Sequence, residues 1–198
     1  MPRVTKILSY FTEPELIGWI ERNSKAKRLA IRNEAFRVGS LVDSLVQEDI
    51  NNGGYLSPEG DEPVENCLKA WELFKKDHPD YVGRVKEMQV DLKEGEVTGH
   101  PDFVLDFQID DLKCATSIRP SYWTQTSKYF RMRFGKVSSG KIGVLRLDKK
   151  SALYEYKVID DINYINYENE VFDAYHLAFN HAQKNREVLR KQLEDEIL

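Results

Sequence analysis

The stretch "IDDLKCA", residues 109–115, sets an aspartate, a leucine and a lysine inside an apolar run. Such a run reads as a buried strand, and a strand turns residues i and i+2 to one face. Asp111 and Lys113 therefore share a face, while Leu112 and Cys114 take the other. An acid and a base on a buried strand need a reason. The triplet alone supplies none, because "DLK" at 91–93, "DKK" at 148–150 and "EYK" at 155–157 repeat the carboxylate-x-lysine spelling. A same-face ion pair on a half-exposed strand would explain any of them. Only the surroundings separate the four.

Upstream, "VTGHPDFVLDF" (97–107) reads as the preceding strand. A hairpin turn around 106–108 lays Asp102 near Asp111, and Gly99 and Pro101 mark a bend just before Asp102. Downstream, "SYWTQTSKYFRMRFG" (121–135) reads as a helix. It carries Gln125 and Tyr129 at i, i+4, on one face. No other triplet has this setting. Asp91 has no preceding strand with an acid, Asp148 sits in the turn-like "LDKKS", and Glu155 precedes an acidic loop rather than a basic helix. A metal site that cleaves phosphodiesters needs two or more hard oxygen ligands that converge, with a cation or base near the attacking water. Asp102, Asp111 and Lys113 meet that need at the mouth of one hairpin.

The rest of the chain frames this hairpin. Residues 12–50 are helical in pattern, with Thr12 as cap, Pro14 near the first helical position and Glu15 at the third. Gly39 marks a close contact between helices or a break. "NNGGYLSPEGDEP" (51–63) is a loop, and 63–78 is a second helix with Leu68, Trp71 and Phe74 or Lys75 at helical spacing. The period then changes to two. Residues 84–92, 97–107 and 109–116 read as three strands too closely spaced for crossover helices, so they form an antiparallel meander. Strands at 141–148 and 152–159 and a helix from 162 to 198 complete the order. The expected fold is α/β (α+β): a mixed central sheet with a three-strand antiparallel meander, flanked by helices, plus an N-terminal helical region. It forms one domain over 1–198, divided into a helical part to 80, a catalytic sheet and helix to 160, and a C-terminal helix.

Composition narrows the chemistry. At 198 residues the chain buries roughly 70% of the surface its unfolded form exposes. No apolar run approaches the ~20 residues of a membrane helix, and "MPRVTKILSYF" lacks a signal-peptide core, so the expectation is a cytoplasmic protein with no membrane partner. Cys67 and Cys114 are too few for a four-thiolate site and read as free thiols. His78, His100, His176 and His181 show no HExxH spacing, and neither GxxxxGK[ST] nor GxGxxG occurs. The net charge of −4 argues against binding nucleic acid by bulk charge. Yet Arg22, Lys25, Lys27, Arg28, Arg32 and Arg37 stand against Glu34 alone, and 119–150 is equally basic around Asp148. Two basic segments around an acidic middle fit a groove that tracks phosphates, or simply solvated helix faces.

"GHPDFVLD…IDDLKCA…YWTQTSKY" resembles the core motif of the PD-(D/E)XK nuclease superfamily, in particular its RecB-like exonuclease branch, with G-x-x-D, D-x-K and Q-x-x-x-Y in order. The start, "PRVTKIL…LIGWIERN…FRVGSLVDSLV", is similar to the N-terminal region of the mitochondrial genome maintenance exonucleases and their phage relatives. That resemblance implies a restriction-endonuclease-like core and a Mg²⁺- or Mn²⁺-dependent exonuclease acting on DNA ends or single strands. It implies Asp102, Asp111 and the Leu112 carbonyl as metal ligands, Lys113 as the group that orients water and stabilises the transition state, and Gln125 and Tyr129 in support. Where many relatives carry a metal-binding histidine in G-x-x-x-H, "GSLVD" places Asp43, a harder donor. No iron–sulfur cluster is expected. DNA is the implied partner, through Arg37, Arg119, Trp123, Lys128, Arg131 and Arg133, with a replication or recombination protein as a second. Trp19, Trp71 and Trp123 fit the core as well as base stacking, Tyr122 shares that ambiguity, and His100 fits a structural hydrogen bond. Two other functions remain: a nuclease fold that binds without cutting or scaffolds a partner, and a structure-specific endonuclease.

Overall fold

The computed structural model describes residues 1–11 and 20–195. The expected cap at Thr12, with Pro14, Glu15 and Trp19, lies outside them. The elements run α1 (Val4–Leu8), α2 (Lys25–Asn52), α3 (Glu62–Asp77), α4 (Tyr81–Arg84), β1 (Glu87–Met88), β2 (Leu92–Glu94), β3 (Val97–Gly99), β4 (Phe103–Leu105), β5 (Gln108–Lys113), α5 (Pro120–Phe134), β6 (Lys141–Leu147), β7 (Tyr154–Ile159) and α6 (Ile162–Asp195).

β1, β4, β5, β6 and β7 form one sheet in that order. β5 and β6 are parallel, joined by α5 as the crossover, and the other neighbours are antiparallel. The sheet is therefore mixed, as expected. The meander differs in detail. The first two expected strands each break in the middle, and their inner halves fold out as a separate β2–β3 hairpin. The break in the first falls at Gln89, whose φ of 49° no strand accommodates.

Both faces of the sheet are covered, which explains why β5 and β6 are buried along almost their whole length. On one face Phe103, Leu105, Leu112, Leu145 and Leu147 meet the C-terminal half of α2 and the apolar stripe of α3. On the other, Val104, Ile109 and Ile142 meet α1, α5 and α6. α2 begins at Lys25, where Ser24 caps it by accepting from the Lys27 amide at 3.3 Å, so the long helix expected from 12 starts afresh here. It runs through Gly39 without a break, and a Cβ there would meet nothing within 4 Å, against both expectations for that residue.

Trp71 is fully buried, stacked between Phe74 and Phe103. Its indole N–H donates to Asp49 Oδ2 at 2.8 Å, and Lys75 reaches the same oxygen at 2.5 Å. Trp71→Phe leaves a small void and removes a donor from a buried carboxylate. It is expected to cost about 1–3 kcal/mol, read as a lower urea midpoint. An unchanged midpoint would show that the bond contributes nothing.

Candidate active site

The site is built on the β4–β5 hairpin. Its register pairs Phe103 with Asp110 and Leu105 with Gln108, and a two-residue turn at 106–107 closes it, with Phe107 at φ 50°. One step beyond the ladder, Asp102 lies across from Asp111. Asp102 Oδ2 accepts from the Leu112 amide at 2.6 Å. In a strand a residue's carbonyl leaves on the same side as its N–H, so the Leu112 carbonyl shares that edge.

Asp111 is 1% exposed. Its Oδ1 accepts from Gln125 Nε2 at 3.1 Å, and the same amide nitrogen lies 3.1 Å from the Tyr129 hydroxyl. Gln125 and Tyr129 come from successive turns of α5, as their spacing predicts. Gly99 has its own role: a Cβ there would collide with the Tyr129 ring, so glycine lets the phenol close on the site. Asp111 Oδ2 forms no directional hydrogen bond and is buried; its contact is the ion pair with Lys113 Nζ at 2.5 Å.

Asp43, from α2, faces the same cavity. Gln47 donates to it at 2.9 Å. Gln89 Nε2 bridges the two acids, 3.2 and 3.3 Å from the Asp43 oxygens and 2.8 Å from Asp102 Oδ1. Nothing in the sequence marked Gln89. It becomes visible only through its left-handed backbone at the strand break, a conformation that costs energy and is held by its surroundings.

The cavity, of about 600 Å³, is lined by Asp43, Gln89, Asp102, Asp111, Leu112, Lys113, Gln125 and Tyr129, and by residues of α1 and α2. Three acids face one lysine, and the electrostatics follow. Burial and the negative field of Asp102 push the Asp43 carboxyl up to about 6. Burial also raises Asp111, Lys113 pulls it back, and Asp102 raises it further. Burial opposes charge on Lys113, but Asp111 and Asp102 outweigh it and hold the ammonium above its ordinary range. Burial and Asp111 keep the Tyr129 phenol protonated.

This donor set fits a hard divalent cation. Carboxylates from the bend before β4, from β5 and from α2 line one cavity, the buried Asp111 Oδ2 has only the Lys113 ammonium against it, and the Gln89 amide nitrogen lies between two acids. Among the described residues, no three His, Cys, Asp and Glu side chains form a ready-made cage. A cation held by one or two carboxylates and completed by water and substrate oxygens needs no such cage. Thiol chemistry is disfavoured. Cys67 is buried, and the Cys67 contact and burial push the Cys114 thiol well above its ordinary range.

The other three triplets have ordinary fates. Asp91 pairs with His100 at 2.8 Å, Asp148 accepts from the Lys150 amide in a turn, and Glu155 pairs with Lys157 on the sheet's edge strand.

None of the six expected DNA contacts lines the cavity. Lys128 is buried, 3.0 Å from Glu94 and over the Phe172 ring. Arg131 holds Asp173 with two hydrogen bonds and also reaches Glu94. Arg133 pairs with Glu87, and Arg37 is taken up by Glu34 and Asp61. Trp123 packs into the core beside α1 and α6. Arg119 is exposed at the N-cap of α5. Helical periodicity places a cation on a face, but the acids that claim it come from distant elements.

No family model and no curated protein matches the sequence. The solved structures it is similar to include an alkaline exonuclease from Laribacter hongkongensis, 12% identical over 94% of this chain and 93% of that one, with a TM-score of 0.38. A phage related exonuclease from Haemophilus somnus 129PT is 14% identical over 93% of this chain and 96% of that one, with a TM-score of 0.42. A complex of the Laribacter enzyme with dAMP is 11% identical over 95% and 94%, with a TM-score of 0.38.

Proposed function

We propose that the chain is a divalent-metal-dependent nuclease, an exonuclease that hydrolyses phosphodiester bonds at DNA ends or in single strands. One observation supports this reading: Asp102, Asp111 and Lys113 line a single cavity, with the buried Oδ2 of Asp111 answered by the Lys113 ammonium at 2.5 Å. The motif resemblance to the RecB-like branch of the PD-(D/E)XK superfamily supports it from the sequence side.

Asp102, Asp111 and the Leu112 carbonyl would hold the cation, with Asp43 on the α2 side of the cavity. When bound, Mg²⁺ or Mn²⁺ supplies Lewis-acid polarisation of the phosphoryl oxygen and a lower pKa for water. The protein supplies position and charge. Lys113, fully protonated, donates to a phosphoryl oxygen as negative charge builds there and orients the attacking water. Gln125 fixes the Asp111 carboxylate through Oδ1, and Lys113 faces Oδ2. Tyr129 fixes Gln125 in turn.

Gln89 holds Asp43 and Asp102 together in the metal-free protein. Gln89→Ala is expected to lower the melting temperature in EDTA, at a cost of about 1–3 kcal/mol. Saturating Mg²⁺ then raises the melting point of the variant more than that of wild type. An equal rise in both would show that the amide and the cation do not share a task.

The test of function uses linear single- and double-stranded DNA labelled at either end, with Mg²⁺, Mn²⁺ or EDTA. Metal-dependent loss of label, with a circular single strand left intact, supports the exonuclease. Cleavage of the circle moves the reading to an endonuclease. Binding without cleavage in either metal overturns catalysis and leaves a nucleic-acid-binding protein.

A further inference from the structure

The two basic segments have separate fates. The cations of α5 are spent on internal ion pairs. In the N-terminal half of α2 Arg37 is paired with Glu34 and Asp61, but among the described residues no carboxylate lies within ion-pair reach of Arg28 or Arg32, and residues 29–37 are exposed on every side. This half of the helix carries apolar side chains into solvent, with Phe36 67% exposed and Leu29 46% exposed.

One face of α2 also walls the cavity of the acid cluster. Arg32, Ala35, Phe36, Gly39, Ser40 and Asp43 line it, spaced by threes and fours along the helix. The order along that face is a cation, the small Ala35, an exposed aromatic ring, two more small residues and the acid. The small residues leave the floor open. At 1.5 Å per residue, Arg32 stands about 16 Å from Asp43 along the axis and Phe36 about 10 Å. Arg32 thus stands well beyond the acids along the helix, and Phe36 lies between them. Arg3 also lines the cavity.

We propose that this face of α2 is a track for an unpaired polynucleotide strand, with one base stacked on Phe36 and a flanking phosphate held by Arg32. The proposal rests on the nuclease reading for what happens at the strand's reacting end, but the track stands on its own geometry. Positive charge interleaved with an exposed ring is the chemistry that binds single strands, because every base offers a π-face and every linkage a negative charge. In a duplex both faces of an internal base are already stacked, so Phe36 has nothing to receive. The site thereby selects unpaired over paired strands.

The test is binding in EDTA, where turnover is absent. The probe is a short single-stranded oligonucleotide carrying one 2-aminopurine, in deoxy and ribo forms, beside the same sequence as a blunt duplex. Wild type is expected to bind the single strand more tightly and to quench the 2-aminopurine as it stacks. Phe36→Ala is expected to weaken binding about tenfold and to restore the fluorescence, while Phe36→Trp retains both. Arg32→Gln is expected to reduce the slope of log affinity against log salt by about one. The exposure of both residues makes unchanged melting curves the expected control. Equal binding by wild type and Phe36→Ala, or a preference for the duplex, overturns the track. A change of mass on light scattering with no change in oligonucleotide binding would make this face a self-contact and also overturn it. The two readings fail separately. A wild type that cuts while Phe36→Ala binds normally sinks the track alone, and a wild type that never cuts but loses binding on Phe36→Ala sinks the nuclease alone.

Discussion

Asp111→Asn is expected to abolish metal-dependent cleavage, by about a thousandfold or more, while single-strand binding in EDTA stays within a few-fold of wild type. The asparagine keeps the size of the side chain and an oxygen for Gln125, which now donates at 3.1 Å. It removes the buried Oδ2 that no hydrogen bond claims. Charge at that atom is what a cation needs, and losing one well-placed electrostatic group in a dry site already costs a hundred- to a thousandfold. The change also leaves Lys113 without its 2.5 Å partner, so a folding defect must be separated from a catalytic one. Asp102→Asn supplies the control, because it spares that ion pair and is expected to lose activity similarly. Measured rates within tenfold of wild type for both variants would remove Asp111 and Asp102 from the chemistry.

The second large effect is on stability, and its sign depends on pH. Asp43 is raised from 3.8 to about 6 in the folded protein by burial and by Asp102. Between those values the folded state keeps a proton that the unfolded state has lost. Stability therefore falls as pH rises through this window and remains lower above it. Two units correspond to somewhat under 3 kcal/mol, and partial solvation of Asp43 brings the expected effect to about 2 kcal/mol. Asp111 is shifted in the same direction. Other carboxylates, such as Asp148 and Asp173, are lowered and act oppositely, so the comparison is best made between wild type and Asp43→Asn. In EDTA the variant is expected to melt near wild type at pH 4 and about 5 °C above it at pH 8. Saturating Mg²⁺ closes that gap, since a cation offsets the charge that asparagine removes. A constant difference across pH would mean that Asp43 is solvated and takes no part in the acid cluster.

Mutual repulsion among these acids is what a site for a cation costs a protein that holds none. The Gln89 amide and the Lys113 ammonium offset part of it. The buried acid beside them is handled differently. Asp110, next to Asp111 but on the other face of β5, accepts from Tyr81, Tyr156 and Gln108 at 2.7–2.8 Å. Its oxygens are all engaged on the packed side of the sheet. Two adjacent aspartates thus have opposite environments, and strand alternation alone assigns one to each face.

Much of the architecture was legible because it depends on local periodicity. The apolar stripe of α3, the alternation in β4 and β5 and the spacing of Gln125 and Tyr129 each repeat over a few residues, and the chain obeys them. The short turn at 106–107 then sets the hairpin register, and the register alone brings Asp102 to Asp111. What sequence could not supply was the set of partners that come from far along the chain. Gln89 reaches the acids only because the first strand breaks at a left-handed residue, which no apolar pattern encodes. Lys128, Arg131 and Arg133 read as a basic face until Glu94, Asp173 and Glu87 arrive from other elements to neutralise them. Arg32 and Phe36 looked like any solvated helix until α2 was laid against the mouth of the hairpin. By itself the sequence determined which residues share a strand face or a helix face, because backbone geometry fixes those within a few residues. Only the tertiary structure decided which charges are spent on each other and which are left facing the cavity, because a charge finds its partner through space, across separations of 37 to 46 residues for Arg131 and Arg133.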